Sequence, residues 1–393
     1  MEVITDEKKI NEVLTRGVER VYPDKVTFTK VLMSGKKIKL YYGVDPTGST
    51  LHLGHMVQLL KLKKFQDLGH EIIILIGDFT AQIGDPTGKE ATRKPLTHKQ
   101  VLENAKGYKK QIGKILDFKK SKISFVYNKK WTNKLTPEDM LELASNFTVS
   151  SLLSRDMFQE RIKSGREIHV HEFLYPVFQA YDAVVLDVDL QIGGNDQMFN
   201  MLAGRDLMKR KKNKEMFVLT TKLLVDPTGK KMGKTEGNMI TLNDSANDMF
   251  GKVMSWPDTM MALGFEICTD FNLNDFTNDN PRDQKIKLAF EIVKIYHGED
   301  KAKEAKDNFI NTFSKKEIPE QMEEIKANSG ELLSEVLVKN NILSSKSEWR
   351  RLVLGNGVHD LNKNSTITDQ NIKITENLTL KIGKKRFIKV LVN

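Results

Sequence analysis

Short apolar runs alternate with amphipathic stretches along the first two thirds of the chain, and that order predicts a parallel α/β core. Residues 1–35 carry helical patterns with a turn at Tyr22-Pro23-Asp24, which predicts an N-terminal helical layer. Residues 38–42 read as a strand, 56–67 as an amphipathic helix that stops at Gly69, and 71–79 as a β-branched run suited to a buried parallel strand. Strand, helix and strand in that order form a βαβ unit. A helical pattern follows over 97–116, then a short strand over 123–127, then a helix start at Thr136-Pro137 with proline in the first helical position. Residues 129–170 are thus expected to be a helical insertion between two halves of one sheet. Residues 171–182 predict a helix, and 186–192 and 217–225 two more strands. Residues 245–327 read as helical, with breaks at Trp256-Pro257 and Asn280-Pro281. Behind Asn328-Ser329-Gly330 the tail predicts a helix over 331–340, another from Ser347, a turn at Gly355-Asn356-Gly357, and a basic strand over 381–390. The expected division is 1–235, 236–328 and 329–393.

Composition narrows the class without changing this plan. A length of 393 residues allows two or three domains with ample core. The single cysteine, Cys268, excludes internal disulfides and cysteine-rich zinc sites. No apolar run approaches the ~18–20 residues of a membrane span, so no membrane partner is expected. The N-terminus, M-E-V-I-T-D-E-K-K-I, is charged and lacks a signal-peptide core, and the expected location is cytoplasmic. The net charge of +10, from 62 basic and 52 acidic residues, fits a nucleic-acid partner, although many lysine-rich proteins have none. It informs only where it is concentrated: in K-R-K-K-N-K at 209–214, and in the tail, with eleven basic residues against six acidic.

Candidate chemistry gathers at strand ends. Residues 41–55, Y-Y-G-V-D-P-T-G-S-T-L-H-L-G-H, run from a strand into a helix start. A helix N-terminus offers unpaired N–H groups and a positive dipole end to an anion. Gly54 lacks a Cβ and lets a ligand approach the backbone. His52 and His55, three apart, fall on one side of the first turn and can donate to phosphate oxygens. Taken alone they are equally well two surface histidines at a helix start. Asp45-Pro46-Thr47-Gly48 recurs as Asp85-Pro86-Thr87-Gly88 after the next strand, with Lys89 beside it; both are good turn chemistry. On the 171–182 helix, Tyr175, Gln179 and Asp182 recur at i, i+4 and i+7. This polar stripe needs partners, either a small polar ligand or groups of the protein itself. Residues 193–197, G-G-N-D-Q, make another glycine-rich strand end. Residues 230–235, K-K-M-G-K-T, follow the turn Asp226-Pro227-Thr228-Gly229; they form either a solvated lysine loop or a cationic loop able to close on a leaving phosphate. No Ser-His-Asp or Cys-His set and no dedicated metal-ligand set is evident.

His52-Leu53-Gly54-His55 resembles the HIGH motif of class I aminoacyl-tRNA synthetases. Lys231-Met232-Gly233-Lys234-Thr235 resembles their KMSKS loop, with Gly233 in place of the commonest serine. With the segments above, the chain resembles the bacterial tyrosyl-tRNA synthetases over nearly its whole length. The resemblance implies a Rossmann-like parallel-sheet catalytic domain, an α-helical domain on the anticodon side, and a small α+β RNA-binding domain like that of ribosomal small-subunit protein S-four. It implies a homodimer joined through the insertion. It also implies activation of tyrosine by ATP, with Mg2+ accompanying the nucleotide, and transfer of tyrosine to the 3'-terminal adenosine of tRNA(Tyr). In that scheme His52, His55 and Thr47 serve the phosphates, and Lys89, Arg93, Lys231, Lys234 and Thr235 follow the pyrophosphate. Tyr41 and Asp182 hold the phenol, with Tyr42 a second ring for the same place. Asp85, Tyr175 and Gln179 hold the α-amino end and Gln197 touches the tyrosine. Gly43, Asp45, Gly54, Gly194, Asp196 and Lys234 line the nucleotide, and Arg350, Arg351, Lys384, Lys385 and Arg386 face tRNA. Two other readings are a tryptophanyl-tRNA synthetase and a non-catalytic RNA-binding paralogue. Tyr41 and Asp182 speak against the first, because indole offers only an N–H donor. A paralogue is expected to have lost a His or Lys from the phosphate motifs, and none is missing.

Overall fold

The structure, a computed structural model, describes residues 2–87, 96–119, 122–226, 239–275, 280–314, 322–363, 365–383 and 386–392, without the side chains of 312–314. The chain forms two compact units, 1–308 and 309–393.

The first unit is built on a sheet of β1 Val18–Tyr22, β2 Lys39–Val44, β3 Glu71–Ile76, β4 Ile123–Tyr127, β5 Leu190–Gly194 and β6 Phe217–Thr221. The strand order is β1-β6-β5-β2-β3-β4, parallel throughout except for the antiparallel edge pair β1–β6. From β2 the chain moves outward through β3 and β4, then returns to build β5 and β6 on the other side. The direction of winding therefore reverses between β2 and β5, and in open α/β sheets ligands bind at that crevice, outside the carboxyl ends of the strands. The central strands are buried on both faces, as parallel strands covered by helices must be.

The helices follow their local chemistry. Leu53–Asp67 starts at His52, and Pro137–Ala144 starts at Thr136, whose hydroxyl accepts from the Asp139 N–H, with Pro137 in the first turn. The insertion consists of Lys129–Thr132, Pro137–Ala144, Val149–Leu153 and Asp156–Lys163. It leads into the long helix Val170–Leu186, which ends at Asp187 in the left-handed region (φ 51°). The run 97–116 is two helices, His98–Ala105 and Tyr108–Ile112, separated at Gly107.

Several expectations need correction. The N-terminal layer contains an edge strand, β1, between the helices Glu7–Thr15 and Lys25–Met33; five residues are too short for their period to show without the partner β6. The strand expected over 71–79 stops at Ile76, since Gly77 turns the chain into the short helix Thr80–Ile83. The strand expected over 186–192 begins only at Leu190, because Leu186 still belongs to the preceding helix. Among the described residues of 245–327 the α-helices are Ala246–Met254, Met261–Cys268, Pro281–His297 and Glu299–Ser314, and the end is a strand, β7 Glu323–Ala327.

That strand belongs to the second unit. There, β7 pairs in parallel with β11 Arg386–Val392, in a sheet that also contains β8 Val358–Asp360, β9 Ser365–Thr366 and β10 Leu378–Ile382. The basic strand expected over 381–390 is thus a hairpin, β10 against β11, with Gly383 at φ 63° next to the turn. Helices Leu333–Lys339 and Lys346–Leu354 pack on this sheet around Trp349, whose Nε1–H donates to the Gln370 carbonyl at 2.8 Å.

Candidate functional site

The two histidines at the start of Leu53–Asp67 form a reciprocal cap. His52 Nδ1 accepts from the Gly54 N–H at 3.1 Å, and His55 Nδ1 accepts from the His52 N–H at 3.2 Å. The rings lie 3.9 Å apart, centre to centre. With Nδ1 occupied as an acceptor, the neutral rings carry their proton on Nε2, the nitrogen on the far side from the backbone. A Cβ on Gly54 would lie 2.8 Å from the His52 ring, so glycine here lets the ring fold back onto its own cap. Past residues 230–235, the chain returns to this point: the Leu53 N–H donates to the Ile240 carbonyl and the Leu242 N–H to the Leu51 carbonyl. Lys231, Lys234 and Thr235 themselves lie outside the described residues, as do Lys89, Arg93, Lys384 and Lys385. The segment following the lysines is stitched to the HLGH stretch.

The loop between β2 and this helix is held from outside. The Asn104 amide donates to the Pro46 carbonyl, the Tyr108 hydroxyl to the Gly48 carbonyl, and Gln111 both donates to Ser49 O and accepts from the Leu51 N–H. Thr47 is exposed on this loop, and Gly43 is exposed near the end of β2. Asp45 points inward: its Oδ2 accepts from the Tyr175 hydroxyl at 2.9 Å and its Oδ1 from Thr80 at 2.8 Å. A Cβ on Gly77 would sit 1.9 Å from Asp45 Oδ1, so this carboxylate can occupy its position only because residue 77 has no side chain. Gly194 is buried, and Asp196 sits beside it at the end of β5.

Two further carboxylates lie near Tyr175. Asp85 Oδ1 accepts from the Thr87 N–H and hydroxyl, and its Oδ2 from the Gln197 amide at 2.6 Å. Arg155, from the insertion, donates to Thr87 Oγ1 and lies over the Phe199 ring at 4.9 Å. Burial pulls its guanidinium below the ordinary value, while Asp85 and Tyr175 oppose that shift. Asp182 Oδ1 accepts from Trp131 Nε1–H at 2.7 Å and its Oδ2 from Asn128 Nδ2–H at 3.1 Å. Burial pushes the Asp182 carboxyl up to about 8, against those two hydrogen bonds, with Asp45 and Asp78 adding to the rise. Asn128 also donates to Thr80 Oγ1 and accepts from the Phe79 N–H, so one amide links the Asp45 and Asp182 ends. Tyr175 lies among all three carboxylates: burial, then Asp45, Asp85 and Asp182, raise its hydroxyl well above the ordinary value.

The stripe read from the 171–182 pattern is therefore real, but much of it is satisfied by the protein: Tyr175 by Asp45, and Asp182 by Asn128 and Trp131. Gln179 is half-buried on the same face. Tyr41 is fully buried; burial and the nearby Asp182 raise its hydroxyl, which makes no hydrogen bond among the described residues. Tyr42 faces the other way, where burial, Tyr108 and Asp196 raise its hydroxyl. Adjacent strand residues point to opposite faces, so only Tyr41 shares the Asp182 side. Sequence reasoning missed Asn128, Trp131, Thr80 and Arg155. The first two follow directly on β4, and their position at a strand's carboxyl end was the available signal. Arg155 gives no local signal, since only the folded insertion brings it to Thr87. In the tail, Arg350, Arg351 and Arg386 are all exposed. Among the described residues no three His, Cys, Asp or Glu side chains converge on a metal position, and no helix is long and apolar enough to cross a membrane.

The family model for class I tRNA synthetases of the W and Y type matches residues 33–314. The tyrosine–tRNA ligase of Carboxydothermus hydrogenoformans is 42% identical, over 98% of this chain and 98% of its own. That of Aquifex aeolicus is 39% identical, over 99% of this chain and all of its own length. The crystal structure of a C-terminally truncated mitochondrial tyrosyl-tRNA synthetase from Aspergillus nidulans shares the fold with a TM-score of 0.64 at 22% identity, covering 78% of this chain and 94% of that one. A sheet that reverses its winding beside a histidine-capped helix, together with matches along nearly the whole length, means that the chain belongs to the class I tRNA synthetases of the tryptophan and tyrosine type.

Proposed function

We propose that tyrosine lies in the pocket around Tyr175, with its phenol at Tyr41 and Asp182 and its α-amino group at Asp85, Tyr175 and Gln179, while ATP lies over the ends of β2 and β5. The reaction is that of a tyrosine–tRNA ligase, the activity that full-length relatives carry in their names. ATP is a substrate of this class, and Mg2+ arrives with its phosphates as part of the nucleotide. The observation that carries the placement is the convergence of Asp45, Asp85 and Asp182 on one buried helix face at the winding reversal.

In the first step a carboxylate oxygen of tyrosine attacks the α-phosphorus of ATP, the P–O bond to the β-phosphate breaks, and pyrophosphate leaves. The substrate supplies the nucleophile, so catalysis rests on positioning and on meeting developing charge. His52 and His55 donate through Nε2 to the α-phosphate oxygens, and Thr47 stands beside them on its pinned loop. Lys89, Arg93, Lys231, Lys234 and Thr235 follow the departing pyrophosphate. Gly43, Asp45, Gly54, Gly194 and Asp196 line the nucleoside, and Gln197 touches the tyrosine. In the second step a ribose hydroxyl oxygen of the terminal adenosine of tRNA(Tyr) bonds to the tyrosyl carbonyl carbon, the carbonyl C–O bond to the adenylate phosphate breaks, and AMP leaves with release of the hydroxyl proton.

The helical region from 236 onward faces the anticodon side of the tRNA, and Arg350, Arg351, Lys384, Lys385 and Arg386 bind its phosphates. The insertion exposes Leu141, Val149 and Val170 at 72%, 69% and 76%, which supports a homodimer joined through it. The enzyme works in the cytoplasm. Tyrosine-dependent exchange of labelled pyrophosphate into ATP, repeated with tryptophan, tests the central assignment: exchange with tyrosine alone is expected, and exchange with tryptophan alone would overturn it.

A further inference from the structure

Gln191 lies on β5 directly in register with Tyr41 on β2, so both side chains leave the sheet on the same face. It is 3% exposed and borders the apolar cluster of Tyr41, Ala183, Met201, Met208, Met216 and Val218. Room for its amide is made by Gly204, where a Cβ would lie 3.4 Å from Gln191 Oε1. A buried amide in apolar surroundings is costly unless it is matched. Neither Gln191 Oε1 nor the Tyr41 hydroxyl has a hydrogen-bond partner among the described residues. Burial and Asp182 raise the Tyr41 hydroxyl, and Gln191 opposes that rise.

We propose that Gln191 is a specificity-positioning residue: its amide N–H donates to the Tyr41 oxygen and so turns the Tyr41 proton toward the substrate's phenol oxygen. The inference rests on the assignment of Tyr41 and Asp182 to the phenol. A hydroxyl has one proton and two lone pairs. The substrate phenol gives its proton to the Asp182 carboxylate and so needs a donor, not another acceptor, from Tyr41. If the Gln191 carbonyl faced Tyr41, it would take that proton, and the pocket would offer the phenol only acceptors. With the N–H side toward Tyr41 the chain runs in one direction, Gln191 to Tyr41 to phenol to Asp182. Phenylalanine leaves Tyr41 and Asp182 unmatched. Gln191 Oε1 stays unpaired in this arrangement, a stability cost that shape alone does not require.

Gln191→Met keeps the volume and removes the donor. The expected result is a fall of roughly 3–10-fold in kcat/KM for tyrosine in pyrophosphate exchange, the scale of one neutral hydrogen bond. Phenylalanine activation should not fall with it, and the ligand-free protein should melt no lower than the parent. In a Tyr41→Phe background, Gln191→Met should leave the tyrosine-to-phenylalanine ratio unchanged, because the member it acts through is gone. Gly204→Ala, which crowds the same amide oxygen, should lower the ratio in the same direction and serves if the methionine variant does not fold. Equal losses for both amino acids, or effects that simply add in the double variant, would mean a packing role and overturn the proposal. A ratio that drops in Tyr41→Phe but not in Gln191→Met overturns the relay alone. A ratio untouched by Tyr41→Phe overturns the phenol assignment, and the relay with it.

Discussion

Replacing Asp182 by asparagine should alter how stability depends on pH. The Asp182 carboxyl is 1% exposed, and burial pushes it from 3.8 to about 8. Between those two values the folded protein holds a proton that the unfolded chain has released. Stability from this group therefore falls as pH rises through the window. By linkage the loss between pH 5 and pH 8 is roughly 4 kcal/mol as an upper bound. Asparagine is neutral throughout and escapes that loss. It gives up one acceptor, so either Trp131 Nε1–H or Asn128 Nδ2–H then meets an NH2 group, at a cost of about 1–3 kcal/mol. Asn128 cannot relieve this by reversing its amide, since its oxygen accepts from the Phe79 N–H at 2.9 Å. Asp182→Asn should accordingly be less stable than the parent at pH 5 and more stable at pH 8.5. Urea unfolding of both ligand-free proteins at the two pH values measures this, and the tail unit, common to both, drops out of the difference. Tyrosine binding should show the matching trend: if the phenol donates to the carboxylate, affinity in the parent rises from pH 6 to pH 8 and in the variant it does not. A stability difference that is the same at both pH values would refute the buried-carboxyl reasoning.

His52→Ala should slow tyrosine activation by about 10²–10³-fold, the scale of one lost transition-state donor, and also cost about 1 kcal/mol through the lost cap. His52→Asn keeps a capping acceptor but no Nε2 donor, so it should recover the stability without the rate; normal exchange activity in that variant would sink the role. Tyr41→Phe should relax selection of tyrosine over phenylalanine and Tyr42→Phe should not, since only Tyr41 shares the Asp182 face; the reverse result in competition assays would mean that the wrong ring was chosen. Ending the chain after Ser314, past the end of the first unit at residue 308 and ahead of β7, should preserve tyrosyl-adenylate formation yet weaken tRNA charging and flatten its salt dependence. Loss of adenylate formation in the folded truncated protein would show that the tail is not confined to RNA.

The amino-acid sequence by itself determined what depends on neighbours a few residues away. The strand-to-helix turn at 41–55, the cap that places His52 and His55 together, and the one-sided row Tyr175, Gln179, Asp182 all follow from periods of 2 and 3.6 and from end chemistry. Period 2 also says that Tyr41 and Tyr42 part to opposite faces. It cannot say which face meets the Val170–Leu186 helix, because that depends on which side of the sheet the crossover takes. The stripe showed that partners were needed, not whose they were. Asp45 is 130 residues from Tyr175, and Trp131 is 51 from Asp182. Gln191 looks like one more position in an apolar strand until register sets it beside Tyr41. Arg155, β1 and β7 have the same cause: a buried cation or a short strand gains its meaning from a partner far along the chain. Only the closed tertiary structure supplies that partner, since side-chain contact and strand pairing are set by distance in space rather than distance in sequence.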